Sequence, residues 1–408
     1  MVSRCMKDYP LEKCVVITRG LHPPWNIGEY VATLYFLSVL NKLYRSVIVL
    51  STIDIERLST NIISDDLLLL NESMKIVWQC TLNRKLCAKK LSSIIEDATD
   101  IYLINISVYD KLISLLYKKL RKPRTRIYFI SYGAFATPLS TYLRHVLGNI
   151  VNSLLLKNIV TLSPLEYKYL KNLRVPVLYV PMPIPIELVP EDLVTAKKFD
   201  CIRILYHGHI DPYRFPYPII FSALKKAYER IKRYIGNLDF RFSIVAPPIS
   251  PNYSIGNYRT DPYKYLNRLH RYSKVLEGFL DVEIEVRYLS IRERFAELAY
   301  NTTLFLFCPL KPRAIDPPLS LLEAMSTRNC IIATNVQSIP TLLTCNRGVV
   351  IPVENFYNLS KRLIDALSYI FMDPYRQSEY ALNAYKYIRK IHFSDAVAKY
   401  LLNYLLRT

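Results

Sequence analysis

The chain has 408 residues, 51% of them hydrophobic and 22% charged, with 54 Lys and Arg against 34 Asp and Glu and a net charge of +20. That length exceeds what one core organises comfortably and predicts two domains of roughly 180 to 200 residues. Its most apolar runs, Val31 to Leu43 and Leu363 to Met372, are broken by polar groups and fall short of the ~18 continuous apolar residues of a membrane span.

In chain order, apolar strand-like runs alternate with helical patterns. The first half predicts strands at Cys14–Thr18, Ser46–Leu50, Ile101–Ile104, Ile127–Ile130, Ile159–Leu162 and Val177–Val180. Helices are expected over Glu29–Leu43, Lys85–Ala98, Tyr109–Leu120, Leu139–Leu156 and Pro164–Asn172. Pro181–Pro190 holds four prolines and reads as a stiff linker. The second half restarts with strand Ile202–Tyr206, helix Pro216–Tyr234, strand Phe240–Val245, helix Lys264–Arg271 and a strand within Val282–Val286. Helix Arg292–Tyr300, strands Leu304–Cys308 and Cys330–Thr334, short helix Ser338–Leu343 and strand Gly348–Ile351 follow. Asn358–Ile370 and the whole of Arg376–Leu406 read as helix. This alternation predicts an α/β protein of two parallel-sheet domains. Ligands of such domains bind beyond the carboxyl ends of the strands, so a cleft between the halves is the expected site.

The segment ahead of the first strand, MVSRCMKDYPLEK, lacks the apolar core of a secretory signal, so none is expected. The eight cysteines show neither metal-ligand nor disulfide spacing. Cys14, Cys201, Cys308 and Cys330 fall in or beside strands, which suggests buried free thiols in a reducing compartment. A charge of +20 favours polyanions or an anionic membrane surface. The basic residues are dispersed and match no nucleic-acid-binding module, so no nucleic-acid partner is expected.

Three loops carry candidate chemistry. Gly28 follows the first strand and opens a helix, where backbone N–H groups can approach a phosphate or sugar; it serves equally as a plain helix start. Tyr206-His-Gly-His-Ile-Asp-Pro-Tyr-Arg214 follows the first strand of the second half. Gly208 permits a tight turn, while His209 and Arg214 place donors at a strand end, Arg214 being suited to bidentate phosphate contact. The blander reading is a surface arginine and a loop histidine. The pair His207 and His209 has no third ligand at a convincing spacing, so no metal is expected. In Arg313–Met325, Asp316 reads as a helix N-cap with Pro317 at the first helical position. Glu323 then lies about 10 Å further along the helix. The first turn, with Pro318, Leu319 and Ser320, would form an anion seat beside the two acids. The alternatives are a capping aspartate and a buried glutamate bonded to backbone.

With these residues in view, the second half resembles the donor-binding domain of the retaining, two-domain GT-B glycosyltransferases of family 4 (group 1 type, of archaeal character). The resemblance rests on Asp316-Pro-Pro-Leu-Ser-Leu-Leu-Glu-Ala-Met325, Ile332–Val336, Ile339-Pro-Thr341, Gly348–Pro352 and the Gly208–Arg214 loop. More loosely, it includes Ile27-Gly28 and Thr161-Leu-Ser-Pro164. It implies a GT-B fold: residues 1–185 form an acceptor-side Rossmann-like domain completed by helix 376–408. A linker at 186–200 and a nucleotide-sugar domain at 201–375 complete the layout. It further implies an enzyme, a hexosyltransferase that retains anomeric configuration without a side-chain nucleophile. Glu323 would bond the ribose, Arg214 and His209 would hold the diphosphate, Gly28 would close on the phosphates, and Asp316 would sit near the donor sugar.

The donor implied is a UDP- or GDP-sugar, used without a metal or other cofactor. The acceptor is a lipid-linked, glycan or other hydroxyl compound. The chain departs from the family pattern at several places: Ile315 holds the first acid position, His209 replaces arginine and Arg214 replaces lysine. Ile27 replaces the first glycine, and Ser131-Tyr-Gly133 stands where a histidine belongs. A catalytically silent scaffold that only binds nucleotide sugars is the alternative. The apolar and basic stretch Tyr109–Arg126 reads either as peripheral contact with an anionic membrane or as a plain surface helix with a basic end; a cytoplasmic protein, at the cytoplasmic membrane face in the first case, is expected.

Overall fold

The computed structural model describes residues 11–19, 28–52, 74–79, 98–104, 125–133, 158–172, 174, 177–208, 210, 213–235, 240–246, 262–287, 289–312 and 315–407. The expected helices Lys85–Ala98 (up to residue 97), Tyr109–Leu120 and Leu139–Leu156 lie outside the described residues, as do Ile27 and His209. The chain divides into two compact units: Met1–Ile186 with Ala314–Asp316 and Ile391–Thr408, and Glu187–Arg313 with Pro317–Lys390.

The first unit is built on a seven-stranded parallel sheet ordered β3-β2-β1-β4-β5-β6-β7. Its strands are β1 (Leu11–Arg19), β2 (Tyr44–Thr52), β3 (Met74–Gln79), β4 (Asp100–Ile104), β5 (Arg126–Ser131), β6 (Ile159–Thr161) and β7 (Val177–Tyr179). Cys14 to Ile17 are buried without alternation, the pattern of a central strand covered on both faces. Helix α1 (Gly28–Leu43) is buried from Val31 through Leu40. Several of the chain's 33 tyrosines are core residues. Tyr102 stacks on Tyr128 at 5.1 Å and its hydroxyl meets that of Tyr44 at 2.9 Å, which satisfies the buried polar ends. Buried Asp100 takes a two-pronged ion pair from Arg126, whose guanidinium also donates to the Leu405 carbonyl at 2.7 Å. Helix α2 (Pro164–Asn172) joins β6 to β7.

The second unit is a six-stranded parallel sheet ordered β10-β9-β8-β11-β12-β13. It contains α3 (Glu191–Ala196), β8 (Ile202–His207), α4 (Tyr217–Ile235), β9 (Phe240–Ala246), α5 (Pro262–Ser273) and β10 (Asp281–Val286). Then follow α6 (Ile291–Tyr300), β11 (Leu304–Phe307), α7 (Leu319–Ser326), β12 (Cys330–Thr334) and α8 (Ile339–Leu342). β13 (Val349–Ile351), α9 (Phe356–Phe371) and α10 (Pro374–Ile391) close this unit, and α11 (Ser394–Leu405) belongs to the first. Ile220, Phe221, Leu224, Ala227 and Ile231 recur at helical spacing and bury one face of α4.

One sequence expectation changes. The continuous helix over Arg376–Leu406 is two helices, because Phe393 forms a parallel bridge with Ile184. Ile184 donates to the His392 carbonyl at 2.7 Å and accepts from Ser394 at 2.9 Å. Met182 and Ile184, in the proline-rich passage, are fully buried, and the Met182 carbonyl meets His392 Nδ1 at 2.8 Å. The stretch packs in the first unit as far as Ile186, and the second unit begins within it at Glu187.

Candidate active site

In the second unit the chain leaves β8 for β9 and β10 on one side, then returns to β11 on the other. The carboxyl ends of β8 and β11 thus flank the topological switch point, where open parallel sheets form a ligand crevice. Both second-half loops singled out in the sequence lie at this point.

The β8 loop begins at Gly208, whose φ of +146° suits glycine and whose N–H donates to the Val245 carbonyl at 3.2 Å. It ends at Phe215, fully buried with its ring 4.2 Å from that of Tyr206. This pairing staples the two ends of the loop and leaves Arg214 half-buried between them. The Tyr213 carbonyl accepts from Leu310 N–H at 2.7 Å, and Lys311 Nζ lies 3.9 Å from the Tyr213 ring centroid. The loops after β8 and β11 are thereby tied together, with Lys311 as an exposed cation that the sequence reading passed over.

The helix beyond β11 starts later than expected. Asp316 is not its N-cap: the cap position is Pro318, at ψ 124°, and no side chain caps the helix. The physical reason is the double proline, because Pro318 bars Pro317 from the helical region and the helix can begin only at Leu319. The first-turn N–H groups consequently have no side-chain cap, and Ser320 stands half-exposed among them. Glu323, about one turn into the helix, is buried and accepts from Arg294 Nη2 of α6 at 2.9 Å. Arg294 is itself 7% exposed. Its position is set by a capping box in which Ser290 and Glu293 satisfy each other's backbone N–H groups.

Asp316 is held in the first unit instead. Its backbone N–H donates to the Tyr132 carbonyl at 3.1 Å, and its Oδ2 accepts from Ser163 Oγ at 2.6 Å. Ser163 also caps α2 by accepting from Glu166 N–H at 3.0 Å. The buried Glu166 carboxylate accepts from Ser131 Oγ at 2.9 Å and from Thr161 Oγ1. Tyr132, standing at the expected histidine position, is buried and shares a hydrogen bond with Thr33 of α1 at 2.9 Å. Burial pushes its phenol well above the ordinary range. A Cβ at Gly28 would stand 2.7 Å from Ile315 Cδ1, so the glycine makes room for the buried Ile315 side chain.

The structure thus gathers Gly208, Arg214, Pro318, Leu319, Ser320 and Glu323 in the second unit, and Gly28 and Asp316 in the first. Arg294, Ser163 and Glu166 were missed by sequence reasoning. The Ser163-x-x-Glu166 spacing before a helix was a legible signal for the last two, whereas Arg294 left none. Among the described residues there is no cluster of three or more His, Cys, Asp or Glu able to hold a metal, and no helix long and apolar enough to cross a membrane.

Two linked parallel-sheet units of this kind define the GT-B fold, and comparison with solved structures agrees. The chain is similar to HepE of Anabaena in complex with UDP, at TM-score 0.68 and 12% identity over 97% of this chain and 100% of that one. It is also similar to a glycosyltransferase from Rickettsia africae (TM-score 0.62, 13% identity, 97% and 98% of the two chains). A third is sucrose-phosphate synthase of Thermosynechococcus elongatus (TM-score 0.62, 12% identity, 97% and 98%). At these identities the likeness is one of fold. No protein-family model matches the chain, and no curated sequence matches it.

Proposed function

We propose that the protein is a retaining glycosyltransferase of family 4 type. In this reading it moves a hexose-type sugar from a UDP- or GDP-sugar to a lipid-linked, glycan or other hydroxyl acceptor at the cytoplasmic face of a membrane. The observation that carries the reading is the meeting of the Gly208–Arg214 loop and the uncapped start of α7 at the β8/β11 switch point. Structures of the same fold solved with UDP and with UDP-glucose support it.

Breaking the anomeric C–O bond leaves negative charge on the diphosphate and positive charge on the sugar. Arg214, with His209, neutralises the leaving group, and the N–H groups of Leu319 and Ser320 add a fixed positive end. Gly208 lets the backbone approach the phosphates. Glu323 accepts from the ribose hydroxyls, and Arg294 acts as a positioning residue that orients the carboxylate. The acceptor oxygen attacks on the face the leaving group departs from, and its proton passes to the departing phosphate oxygen, so no side-chain nucleophile is required. Asp316 acts through position: gripped by Ser163 and Tyr132, it sets Ile315 against Gly28.

The test is a mass-spectrometric transfer assay with UDP- and GDP-sugars, membrane lipid extract and simple glycosides. A one-hexose mass increase on an acceptor, lost in Arg214→Ala and Glu323→Ala, is expected. Binding of UDP-sugar without transfer to any acceptor would instead make the chain a silent nucleotide-sugar binder.

A further inference from the structure

Residues 262 to 276, spanning α5 and the single 3-10 turn Lys274–Leu276, contain Lys264, Arg268, Arg271 and Lys274 and no Asp or Glu. Leu269 and Leu276 are fully buried in the core of the second unit, and Tyr272 leans on Tyr217 at 5.1 Å between ring centroids. The opposite side is basic: Arg268, Arg271 and Lys274 are exposed. Spacings of three and four place Arg268, Arg271 and Val275 in one row. Val275 is 42% exposed and Tyr272 45%. The first acid beyond the row is Glu277.

Several arginines elsewhere on the unit are neutralised by a carboxylate partner. Arg230, Arg241, Arg287, Arg362 and Arg376 each pair with a carboxylate: Asp365, Asp281, Glu285, Glu354 and Asp373. Among the described residues, Arg268, Arg271 and Lys274 make no such pair. Like charges one turn apart repel, and among the described residues no carboxylate pairs with them to offset the repulsion.

We propose that this face is a docking surface for an anionic phospholipid bilayer. Lipid phosphates neutralise the cationic row, while Val275 enters the boundary between headgroups and acyl chains. A nucleic acid would supply the charge but leave Val275 without a matching apolar layer. The proposal names a surface for the membrane location in the proposed function, and the vesicle test reads it separately from sugar transfer.

The test is sedimentation of the full chain with vesicles of phosphatidylcholine alone or mixed with phosphatidylglycerol. Binding only to the mixed vesicles, weakened by salt, is expected. At about fivefold per basic residue, the Arg268→Gln/Arg271→Gln/Lys274→Gln variant should lose about a hundredfold in partitioning. The equally discharged Lys361→Gln/Arg362→Gln/Lys386→Gln variant should lose little, and Val275→Asp should also weaken binding. If the triple variant does not fold, Arg271→Gln alone should show the fivefold step. Equal loss in the control variant, equal binding to neutral vesicles, no binding to mixed vesicles, or displacement of vesicles by stoichiometric duplex DNA would overturn the proposal.

Discussion

Replacing Arg294 by methionine tests the buried pair on which the Glu323 assignment depends. Arg294 and Glu323 are 7% and 2% exposed and meet at 2.9 Å. Removing one partner strands the other in a low-dielectric site, at a cost of about 3–5 kcal/mol. For a unit of roughly 200 residues, each kcal/mol lowers the unfolding midpoint by about 2–4 °C, so a fall of about 6–20 °C is expected. Glu323→Leu should cost a similar amount for the same reason. The double variant Arg294→Met/Glu323→Leu removes both charges together, and its midpoint should return to within a few degrees of wild type or exceed it. Calorimetry on the four proteins reads the stability. Titration with UDP reads the site: the stable double variant should no longer bind. If Arg294→Met unfolds within 2 °C (about 1 kcal/mol) of wild type, the buried-pair argument fails. A double variant that binds UDP as well as wild type would remove Glu323 from the nucleotide site.

Gly28→Ala places a Cβ 2.7 Å from Ile315 Cδ1. The movable end of that side chain should limit the destabilisation to about 1–3 kcal/mol. In an Ile315→Ala background the same change should become neutral or stabilising, since alanine is the better helix former; a thermal double-mutant cycle measures the difference. Ser163→Ala removes a bond to the buried Asp316 and a cap to Glu166 N–H, and should cost about 2–4 kcal/mol in chemical denaturation. Burial pushes the thiols of Cys308 and Cys330 from 9.0 up to about 12. The unfolded chain therefore releases these protons first, so their contribution to stability is complete below pH 9 and is lost as pH rises toward 12. Unfolding midpoints should fall across that window, less steeply in a Cys308→Ala/Cys330→Ala variant. In the folded protein at pH 8, thiol reagents should label exposed Cys345 well before either of these, as read by peptide mass.

Most strands were legible because a buried parallel strand writes itself as an unbroken apolar run. Cys14-Val-Val-Ile17 and Leu304-Phe-Leu-Phe307 cannot be anything polar and exposed. β3, Met74–Gln79, was not legible: at the edge of its sheet, its sequence MKIVWQ limits the apolar run to Ile76-Val-Trp78 between polar residues. The loop chemistry at Gly208 and Arg214 and the motif Leu322-Glu-Ala-Met325 could be read locally, since turn, helix and residue type are neighbours along the chain. What those residues touch could not. Asp316 looked like a cap because an acid before prolines usually is one, yet the helix starts three residues later and the carboxylate bonds Ser163, 153 positions away. The helix over Arg376–Leu406 contains no proline or glycine to announce a break. It is interrupted because Ile184 competes for the backbone groups at His392 and Ser394. Local propensity and periodicity thus determined the elements and the strand ends at which a ligand could bind. The partners of Asp316, Glu323 and Gly28 were decided only when distant segments packed, because a buried charge or a missing side chain takes its meaning from what fills the space beside it.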